Sequence, residues 1–482
     1  MSRMIVGPFN RVEGDLEITL DFQEDVVTRA QVNSTLFRGF ESMLEGRKPS
    51  DVLVFAPRIC GICSVSQSVA AASALSQIYG VQPTENGQKA INLMLANENA
   101  ADLLTHFYLF FMPDFARAVY QDKPWFSKVH QRFKAMQGQA VSPALQARSH
   151  WLKMMGILAG RWPHTMAIQP GGASRSITDS EVVQLRLFAR QFRQFLEQQM
   201  LGSSLESLLA CQNTTDFKIW QYHAGASDFG LFCEVAEDLE LSQLGKTSGN
   251  FMSYGNYPKI EGGRQFSPGL YLKGCSQILN PDLITEDIHY ARYQGSKILT
   301  PWDDNVAPDL EKAGAYSWCK APRLDGQVIE VGALARQVVT QQPLICDLIK
   351  VQGSNVYTRL VARVVELATI VTLVEEWLAT GFTNEAPFCQ STSGVVSSKG
   401  VGLVEAARGG LGHWLELERG KIKNFQVIAP TTWNFSPRDK QNIPGALEQA
   451  LVGAKKQKNE RDPVSVQHIV RSFDPCMVCT VH

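Results

Sequence analysis

Four cysteines form two pairs near opposite ends of the sequence, Cys60 with Cys63 and Cys476 with Cys479. Each pair has the i, i+3 spacing at which one turn of chain can direct both sulfurs to a single metal. Thiolates suit zinc and iron–sulfur clusters, so the pattern predicts a four-thiolate site if the two ends meet. Zinc ribbons place their pairs roughly 15–20 residues apart, whereas nearly the whole chain separates these two. The spacing therefore favours a cofactor pocket over structural zinc, but it does not identify the metal.

The composition excludes two classes of protein. Of 482 residues, 46 are basic and 47 are acidic, and no long basic stripe is interleaved with aromatic residues, so nucleic-acid binding has no electrostatic support. No apolar run reaches the roughly 18 residues of a membrane-spanning helix, and the N-terminus has no signal-peptide pattern. We therefore expect a soluble, cytoplasmic chain with no direct membrane span, and export on a partner's signal stays open as the alternative.

The remaining six cysteines are scattered singly along the chain. In a large chain of this kind, buried free thiols in a reducing compartment are the default expectation for them. They are Cys211, Cys233, Cys275, Cys319, Cys346 and Cys389.

Local patterns predict the elements that must position the paired cysteines. Alternating apolar and polar residues over 16–22 indicate a half-buried strand, and a turn at 23–25 leads to a second strand over 26–32. After Cys63, an alanine-rich stretch over 64–79 indicates a helix that ends at Gly80. The first cysteine pair therefore lies between an N-terminal hairpin and a helix.

A long helix is predicted over 90–112, because Pro113 stops it. Asp102, His106 and Phe110 recur on it at i, i+4 and i+8, so one stripe carries a carboxylate, an imidazole and a ring. The ordinary interpretation of such a stripe is an amphipathic helix with a satisfied core histidine.

Two further helices have clear signals. Thr178 and Glu181 form a candidate capping box, and an apolar stripe over 360–378 ends at Gly381. We predict an α+β, mainly helical fold in which one interleaved domain spans 1–482, with a central bundle of long helices and the N-terminal β-hairpin. The region at about 217–308 is predicted to be an irregular middle lobe, and 391–400 a flexible loop.

Six motifs occur in the same order as in [NiFe]-hydrogenase large subunits, which this chain resembles over essentially its whole length. The resemblance implies that Cys60 and Cys476 are terminal ligands of nickel. It implies that Cys63 and Cys479 bridge nickel to an iron that carries cyanide and carbonyl ligands. The motifs are R-V-E-G at 11–14, R-I-C-G-I-C at 58–63, K-A-P-R at 320–323, E-A-A-R-G at 405–409, T-T-W-N at 431–434 and D-P-C-M-V-C-T-V-H at 474–482.

The resemblance also implies how protons move. Hydrogen would be cleaved heterolytically, with Cys476 or Arg408 as the first proton acceptor. Glu13 would pass the proton outward, and Asp102 with Asp474 would anchor Arg408. Asp102 and His106 match the D-x-x-x-H pair that lies near the metals in the family. Without the resemblance, Glu13 would be interpreted as an ordinary surface or capping residue.

A second metal site is implied at Glu41, which lies in an R-G-x-E segment, and at the C-terminal His482. In the family these residues hold a magnesium-like ion. An imidazole suits so hard a cation only moderately, since magnesium prefers oxygen ligands. The alternative for Glu41 is an ordinary surface salt bridge.

Four departures from the common family pattern narrow the subfamily. Asp15 and Gln67 stand where most catalytic members have histidine, and Ile62 and Phe110 stand where standard members have valine and leucine. Bulkier side chains at the last two positions would narrow the gas path to the metals. At these four positions the sequence resembles the regulatory branch of the family, whose members sense hydrogen.

The resemblance implies partners as well. An iron–sulfur small subunit would carry electrons, H2 would be the substrate, maturation proteins would insert the metals, and a sensor would signal through a histidine kinase. The main alternative is an oxygen-tolerant uptake hydrogenase. A structural metal protein and a scaffold like the quinone-site subunit of respiratory complex I are weaker alternatives, because that subunit has lost the four cysteines.

Overall fold

The structure, a computed structural model, describes residues 2–383, 386–457, 460 and 462–481. At the N-terminus, β1 (Ser2–Val6), β2 (Leu16–Gln23) and β3 (Val26–Ser34) form an antiparallel sheet with β2 in the middle. The predicted β2–β3 hairpin is confirmed. Its turn residues Glu24 and Asp25 both have positive φ, 50° and 63°, as a tight two-residue hairpin connection requires. The added strand β1 has no alternating pattern and was not predicted.

Six helices follow: α1 (Phe40–Leu44), α2 (Asp51–Phe55), α3 (Ser64–Tyr79), α4 (Glu85–Thr105), α5 (Phe126–Phe133) and α6 (Val141–Ala159). Helix α3 has its predicted bounds and ends at Gly80 in the left-handed conformation, with φ 66°. Thr84 caps α4 by accepting the backbone N–H of Gly87, so this helix begins earlier than predicted.

The predicted single helix over 90–112 is wrong at its C-terminal end. Beyond α4 the chain forms a π-helical turn, His106–Phe111, and then a 3-10 turn, Met112–Ala116. A π turn holds more residues than an α turn, so it changes the direction in which later side chains point. Phe110 lies in the π-helical turn, so the predicted i+8 alignment of its side chain with Asp102 is wrong.

The next elements are β4 (Ile168–Gln169), β5 (Gly172–Ala173), α7 (Asp179–Phe195), α8 (Leu205–Leu209), α9 (Thr214–His223) and α10 (Asp228–Asp238). The predicted capping box of Thr178 and Glu181 opens α7. The irregular lobe begins later than predicted, because α9 and α10 occupy its first part. Their caps, Asn213 and Ser227, are signals that could have revealed them.

The rest of the middle lobe consists of small antiparallel sheets joined by turns, as its glycine-rich sequence suggests. Their strands are β6 (Phe251–Ser253), β7 (Asn256–Pro258), β8 (Arg264–Phe266), β9 (Gly269–Leu272), β10 (Cys275–Gln277), β11 (Ile284–Asp287), β12 (Ile298–Leu299) and β13 (Ala321–Leu324). Cys275 is exposed on β10, which corrects the expectation of a buried thiol at that position. Cys346 and Cys389 are only partly buried.

The last elements are α11 (Ala333–Val339), α12 (Pro343–Gln352), α13 (Val356–Thr380), β14 (Ser398–Ala406), β15 (Gly409–Glu418), β16 (Lys421–Ile428), α14 (Pro430–Asn434), α15 (Ala446–Leu451) and α16 (Val464–Ser472). Helix α13 ends at Gly381 as predicted. The predicted flexible loop is too long, since β14 begins at Ser398. Gly400 and Gly402 lie against α3, where a Cβ at Gly402 would be 1.9 Å from the carbonyl oxygen of Ala70.

Helices α4, α6, α7 and α13 pack against one another as the predicted bundle. The main hydrophobic core joins both ends of the chain, since it includes Val6 and Cys479. The predicted fold class, α+β with one interleaved domain, is confirmed. Among the described residues, no helix combines the length and the apolar character needed to span a membrane.

Candidate metal centre

The four paired cysteines meet at one site. The Sγ atoms of Cys60 and Cys476 are 3.4 Å apart, those of Cys63 and Cys479 are 3.3 Å apart, and those of Cys476 and Cys479 are 3.1 Å apart. All four sulfurs lie within 4.8 Å of one another, and each residue is a free cysteine. Four converging thiols in a mostly buried site form a donor set for soft metals.

Local structure positions each pair. A short turn at Ala56–Arg58 precedes Cys60, and Cys63 is the residue from which α3 begins. On the other side, Asp474 has a positive φ of 57°, and a 3-10 turn, Met477–Cys479, follows Cys476. Both pairs are therefore carried by tight turns, as the i, i+3 spacing predicts.

Arg38 links the two pairs directly. The Nη2 atom of its guanidinium donates to both the carbonyl oxygen of Ile59 and that of Val478. Each of these carbonyls immediately precedes a ligand candidate, Cys60 or Cys479. Sequence reasoning noted Arg38 only as part of the R-G-x-E segment and missed this role.

Arg408, at the turn between β14 and β15, is anchored by both predicted carboxylates. Its Nη1 is 2.8 Å from Asp102 Oδ2, its Nη2 is 3.2 Å from Asp474 Oδ1, and its Nε donates to the carbonyl of Asp474 at 3.0 Å. Burial opposes the charged guanidinium, but Asp102 and Asp474 raise the pKa of Arg408 well above its ordinary value. The guanidinium is therefore a fixed positive charge beside the thiols.

Glu98 is a residue of this site that sequence reasoning missed. Its carboxylate accepts the backbone N–H groups of Val65 and Ser66 at 2.8 and 2.9 Å and the indole N–H of Trp162 at 3.0 Å. It thereby caps α3 from a different helix. Burial raises the pKa of Glu98 to about 7, against these hydrogen bonds, which lower it. Glu98 lies one turn before Asp102 on α4, but no local pattern indicates that it caps another helix.

His106 contacts the C-terminal helix. Its Nε2 donates to the carbonyl oxygen of Arg471, with the two atoms 2.6 Å apart. Burial lowers the pKa of His106 to about 4, and the nearby charge of Arg363 adds to this effect. His106 is therefore a neutral imidazole that holds the helix leading to Cys476.

Gln67 lies on the first turn of α3, fully buried. Its Oε1 is 2.7 Å from Nε2 of His413 on β15. Its Nε2 is buried and has no hydrogen-bond partner among the described residues. An unpaired buried N–H group costs free energy, which fits a site where a bound group supplies an acceptor. His413 was not identified from the sequence.

Glu13 pairs through its backbone with the second cysteine pair. It forms a parallel bridge with Cys476, and its carbonyl oxygen accepts the N–H of Met477 at 2.7 Å. Burial and the charge of Cys60 raise the pKa of the Glu13 carboxyl, while Arg408 and Arg38 lower it. A half-buried acid of this kind can hold a proton more readily than a surface carboxylate.

Glu41 lies in a separate buried cluster. Its carboxylate accepts the N–H of Val427 at 3.0 Å and is 3.5 Å from Nζ of Lys320, which is also 3.5 Å from Glu286. The surface salt-bridge alternative is wrong, because Glu41 is only 5% exposed. Burial raises the pKa of Glu41 to about 7.

A small cavity adjoins Glu41, Glu286 and Lys320 and reaches Thr480 and Val481. Its volume of about 10 Å³ is close to the space that one water-sized group needs. His482, the other predicted ligand, lies outside the described residues.

The remaining predicted positions are placed as follows. Ile62 is half-buried and packs against the main core. Phe110 is half-buried, and its carbonyl accepts a hydrogen bond from Arg11 at 3.2 Å. Asp15 is exposed at the start of β2. The gas-path role of Ile62 and Phe110 stays a prediction.

Comparisons with known proteins agree with this site. Residues 38–140 and 140–482 match the family model of the nickel-dependent hydrogenases. The chain is 26% identical to the periplasmic NiFeSe hydrogenase large subunit of Desulfomicrobium baculatum, covering 100% of this chain and 95% of that one. It is 28% identical to the quinone-reactive Ni/Fe-hydrogenase large chain of Wolinella succinogenes, covering 100% and 96%.

A third relative is the uptake hydrogenase large subunit of Rhodobacter capsulatus, 26% identical over 100% of this chain and 95% of that one. Among solved structures, the reduced Ni-Fe-Se hydrogenase of D. vulgaris Hildenborough superposes with a TM-score of 0.84 at 27% identity and covers 100% of both chains.

Proposed function

Since this chain belongs to the nickel-dependent hydrogenase family, we propose that it cleaves H2 at a nickel–iron centre held by Cys60, Cys63, Cys476 and Cys479. The observation that carries the proposal is the convergence of four free thiols from opposite ends of the chain, all within 4.8 Å. Nickel and iron, the iron with cyanide and carbonyl ligands, would supply the Lewis acidity and redox capacity for heterolytic cleavage. The buried, unpaired Nε2 of Gln67 is one donor that such ligands could satisfy.

The first proton acceptor in this proposal is Sγ of Cys476. Arg408, the other candidate, is held protonated by Asp102 and Asp474, which raise its pKa. A protonated guanidinium has no lone pair for a further proton. Its role is therefore to stabilise negative charge near the thiolates and to orient what binds there.

Glu13 is the proposed next carrier of the proton. Its backbone is paired with Cys476. The pKa of its carboxyl is raised toward neutral pH, where a group that relays protons works best.

A second metal is proposed at the cluster of Glu41. A hard cation, proposed as magnesium, would bind there with His482 as a further ligand.

Electrons must leave through another chain. In the described part of this one, no thiols other than these four converge on a metal-ligand geometry, so we propose an iron–sulfur small subunit as the partner. This agrees with the description of the relatives as large subunits.

The physiological role has two candidates. Hydrogen sensing is supported by four departures from the common catalytic pattern, Asp15, Ile62, Gln67 and Phe110. Hydrogen uptake is supported by the names of the relatives, which include uptake hydrogenases. Deleting the chain separates the two candidates, because a sensor deletion changes hydrogen-dependent gene expression, whereas an uptake deletion abolishes bulk H2 consumption with expression unchanged.

The metal assignment is tested on the protein purified anaerobically with its partner. We expect nickel and iron, together with infrared bands of iron-bound carbonyl and cyanide. Zinc without nickel or iron would contradict the proposal and support the structural alternative.

A further inference from the structure

A buried carboxylate, Asp114, connects the two chain segments that form the proton path. It lies in the 3-10 turn Met112–Ala116 and is fully buried. Nη1 of Arg471 binds both of its oxygens, at 3.0 and 2.8 Å, and Nη2 of Arg11 also binds it. Nδ1 of His468 is 3.4 Å from Oδ2. One carboxylate therefore serves two guanidiniums and faces an imidazole.

These two guanidiniums belong to the segments that carry Glu13 and Cys476. Arg11 precedes Glu13 by two residues, and Arg471 leads from α16 into the turn that carries Cys476. Arg471 also donates from Nη2 to the carbonyl and the side-chain oxygen of Asn10, both at 2.8 Å. Asp114 is thus the common acceptor for both segments just before they pair.

The pairing itself is sparse. Glu13 and Cys476 meet at an isolated bridge, whose hydrogen bonds run from Glu13 N to the Pro475 carbonyl at 3.4 Å and from Met477 N to the Glu13 carbonyl at 2.7 Å. Two backbone hydrogen bonds outside a sheet are a weak constraint on a side-chain position. The contact of Arg471 with Asn10 and the shared contacts of Arg11 and Arg471 with Asp114 add further attachments between the two segments.

We propose that Asp114 is a positioning residue for proton transfer, which holds the segment of Glu13 beside the segment of Cys476 by tying Arg11 and Arg471 together. The inference rests on the proposed function of Glu13. Asp114 does not carry the proton, because Arg471 and Arg11 overcome the effect of burial and hold its pKa well below the ordinary range. Its effect is on geometry.

The test compares Asp114→Asn with Asp228→Asn in the complete complex. Asp228 is a matched control, because it is also a buried aspartate that pairs with an arginine. Its carboxylate binds Arg132 at 2.6 and 2.8 Å and the hydroxyl of Tyr108 at 2.7 Å. It lies on α10, and neither bonded residue belongs to the segments of Glu13 or Cys476. Asp114→Asn weakens two ion pairs and Asp228→Asn weakens one, but only Asp114→Asn is expected to loosen the proton path.

For Asp114→Asn we expect proton–deuteron exchange with H2 to slow by roughly tenfold to a hundredfold, since a displacement of about 1 Å can cost that much. The KM for H2 and the carbonyl and cyanide infrared bands should be unchanged. The infrared band of the protonated Glu13 carboxyl, assigned by its loss in Glu13→Gln, should shift. Asp228→Asn should leave exchange and that band unchanged.

Equal exchange rates in the two folded variants would overturn the inference. If Asp114→Asn does not fold, Arg11→Gln replaces it, because this change removes the ion pair of Arg11 with Asp114 and leaves that of Arg471 in place. An unshifted Glu13 band and unchanged exchange in Arg11→Gln would also overturn the inference. Failure of the proposed function is distinguishable, because Glu13→Gln itself would then keep full exchange activity.

Discussion

The loop that carries Cys60 and Cys63 and the segment that carries Cys476 and Cys479 meet at one site, but different interactions hold them. The first pair leads directly into α3, whose N-terminus is capped by Glu98 and whose side packs against β14. The second pair follows α16 as a short turn, held by the charges around Arg408 and Asp114. Regular structure positions one half of the centre and buried ion pairs position the other.

This difference has an energetic consequence. A capped helix keeps its shape when one surface contact is lost, since its backbone hydrogen bonds are internal. A segment held by buried charges depends on every member of the set, because an unpaired buried charge is costly. The C-terminal half should therefore be the more sensitive to single substitutions outside the cysteines.

The largest effect should come from the cysteines, where the two halves are equivalent. Cys479→Ser and its matched counterpart Cys63→Ser should each abolish the metal centre and H2 activation, because the proposed bridge between two metals is lost. Infrared spectroscopy of both variants provides the measurement. Intact carbonyl and cyanide bands in either variant would contradict the assignment of bridging ligands.

The next largest effect should come from the buried charges that hold the segment of Cys476 and Cys479. Asp102→Asn leaves Arg408 with one carboxylate, and breaking such a buried pair costs about 3–5 kcal/mol. We expect a lower denaturation midpoint together with loss of nickel. Asp439→Asn is the control, since Asp439 pairs with Arg323 at 2.8 Å in an equally buried setting. It should lower the midpoint but leave the nickel content per folded protein unchanged, and equal nickel loss would show that Arg408 has no special role.

A smaller change should follow from widening the proposed gas path. Ile62→Val with Phe110→Leu removes side-chain volume, which neighbouring groups refill only in part. We expect H2 oxidation to persist while activity in air declines over time. Because the π-helical turn redirects Phe110, the single variants should be unequal, with Ile62→Val the more effective. Unchanged activity of the double variant in air would end the narrow-path hypothesis and leave the metal assignment intact.

The smallest effects concern pH, and the two halves should respond in opposite directions. The pKa of Glu98 rises from 4.5 to about 7 in the folded chain, so the folded state binds more protons at this group between these values. Its contribution to the free energy of unfolding should therefore fall as pH rises through that window. His106 has its pKa lowered from 6.5 to about 4, so its contribution should fall as pH decreases from 6.5 to 4.

Denaturation of the wild type, Glu98→Gln and His106→Gln between pH 4 and 8 measures both effects, with slopes of at most about 1.4 kcal/mol per pH unit for each group. The stability difference between wild type and Glu98→Gln should decrease with rising pH. The difference for His106→Gln should increase with rising pH. Parallel curves would show that neither group titrates in the folded chain within this range.

Local sequence determined much of the fold. The bounds of α3, its end at Gly80, the Thr178 capping box and the β2–β3 hairpin depend on residues within a few positions of one another. Periodicity and capping act at that range, so these predictions are confirmed. The i, i+3 cysteine pairs were recognised for the same reason.

Tertiary structure decided which distant groups meet. Cys60 and Cys476 are 416 residues apart, and spacing within each pair does not show that they share a site. Glu98 caps a helix other than its own, and Arg38 joins two loops from opposite ends, so neither role leaves a local pattern. The π-helical turn at His106 likewise changes the direction of Phe110 without a break in the apolar sequence. Such contacts arise from packing in the shared core, which local propensity does not determine.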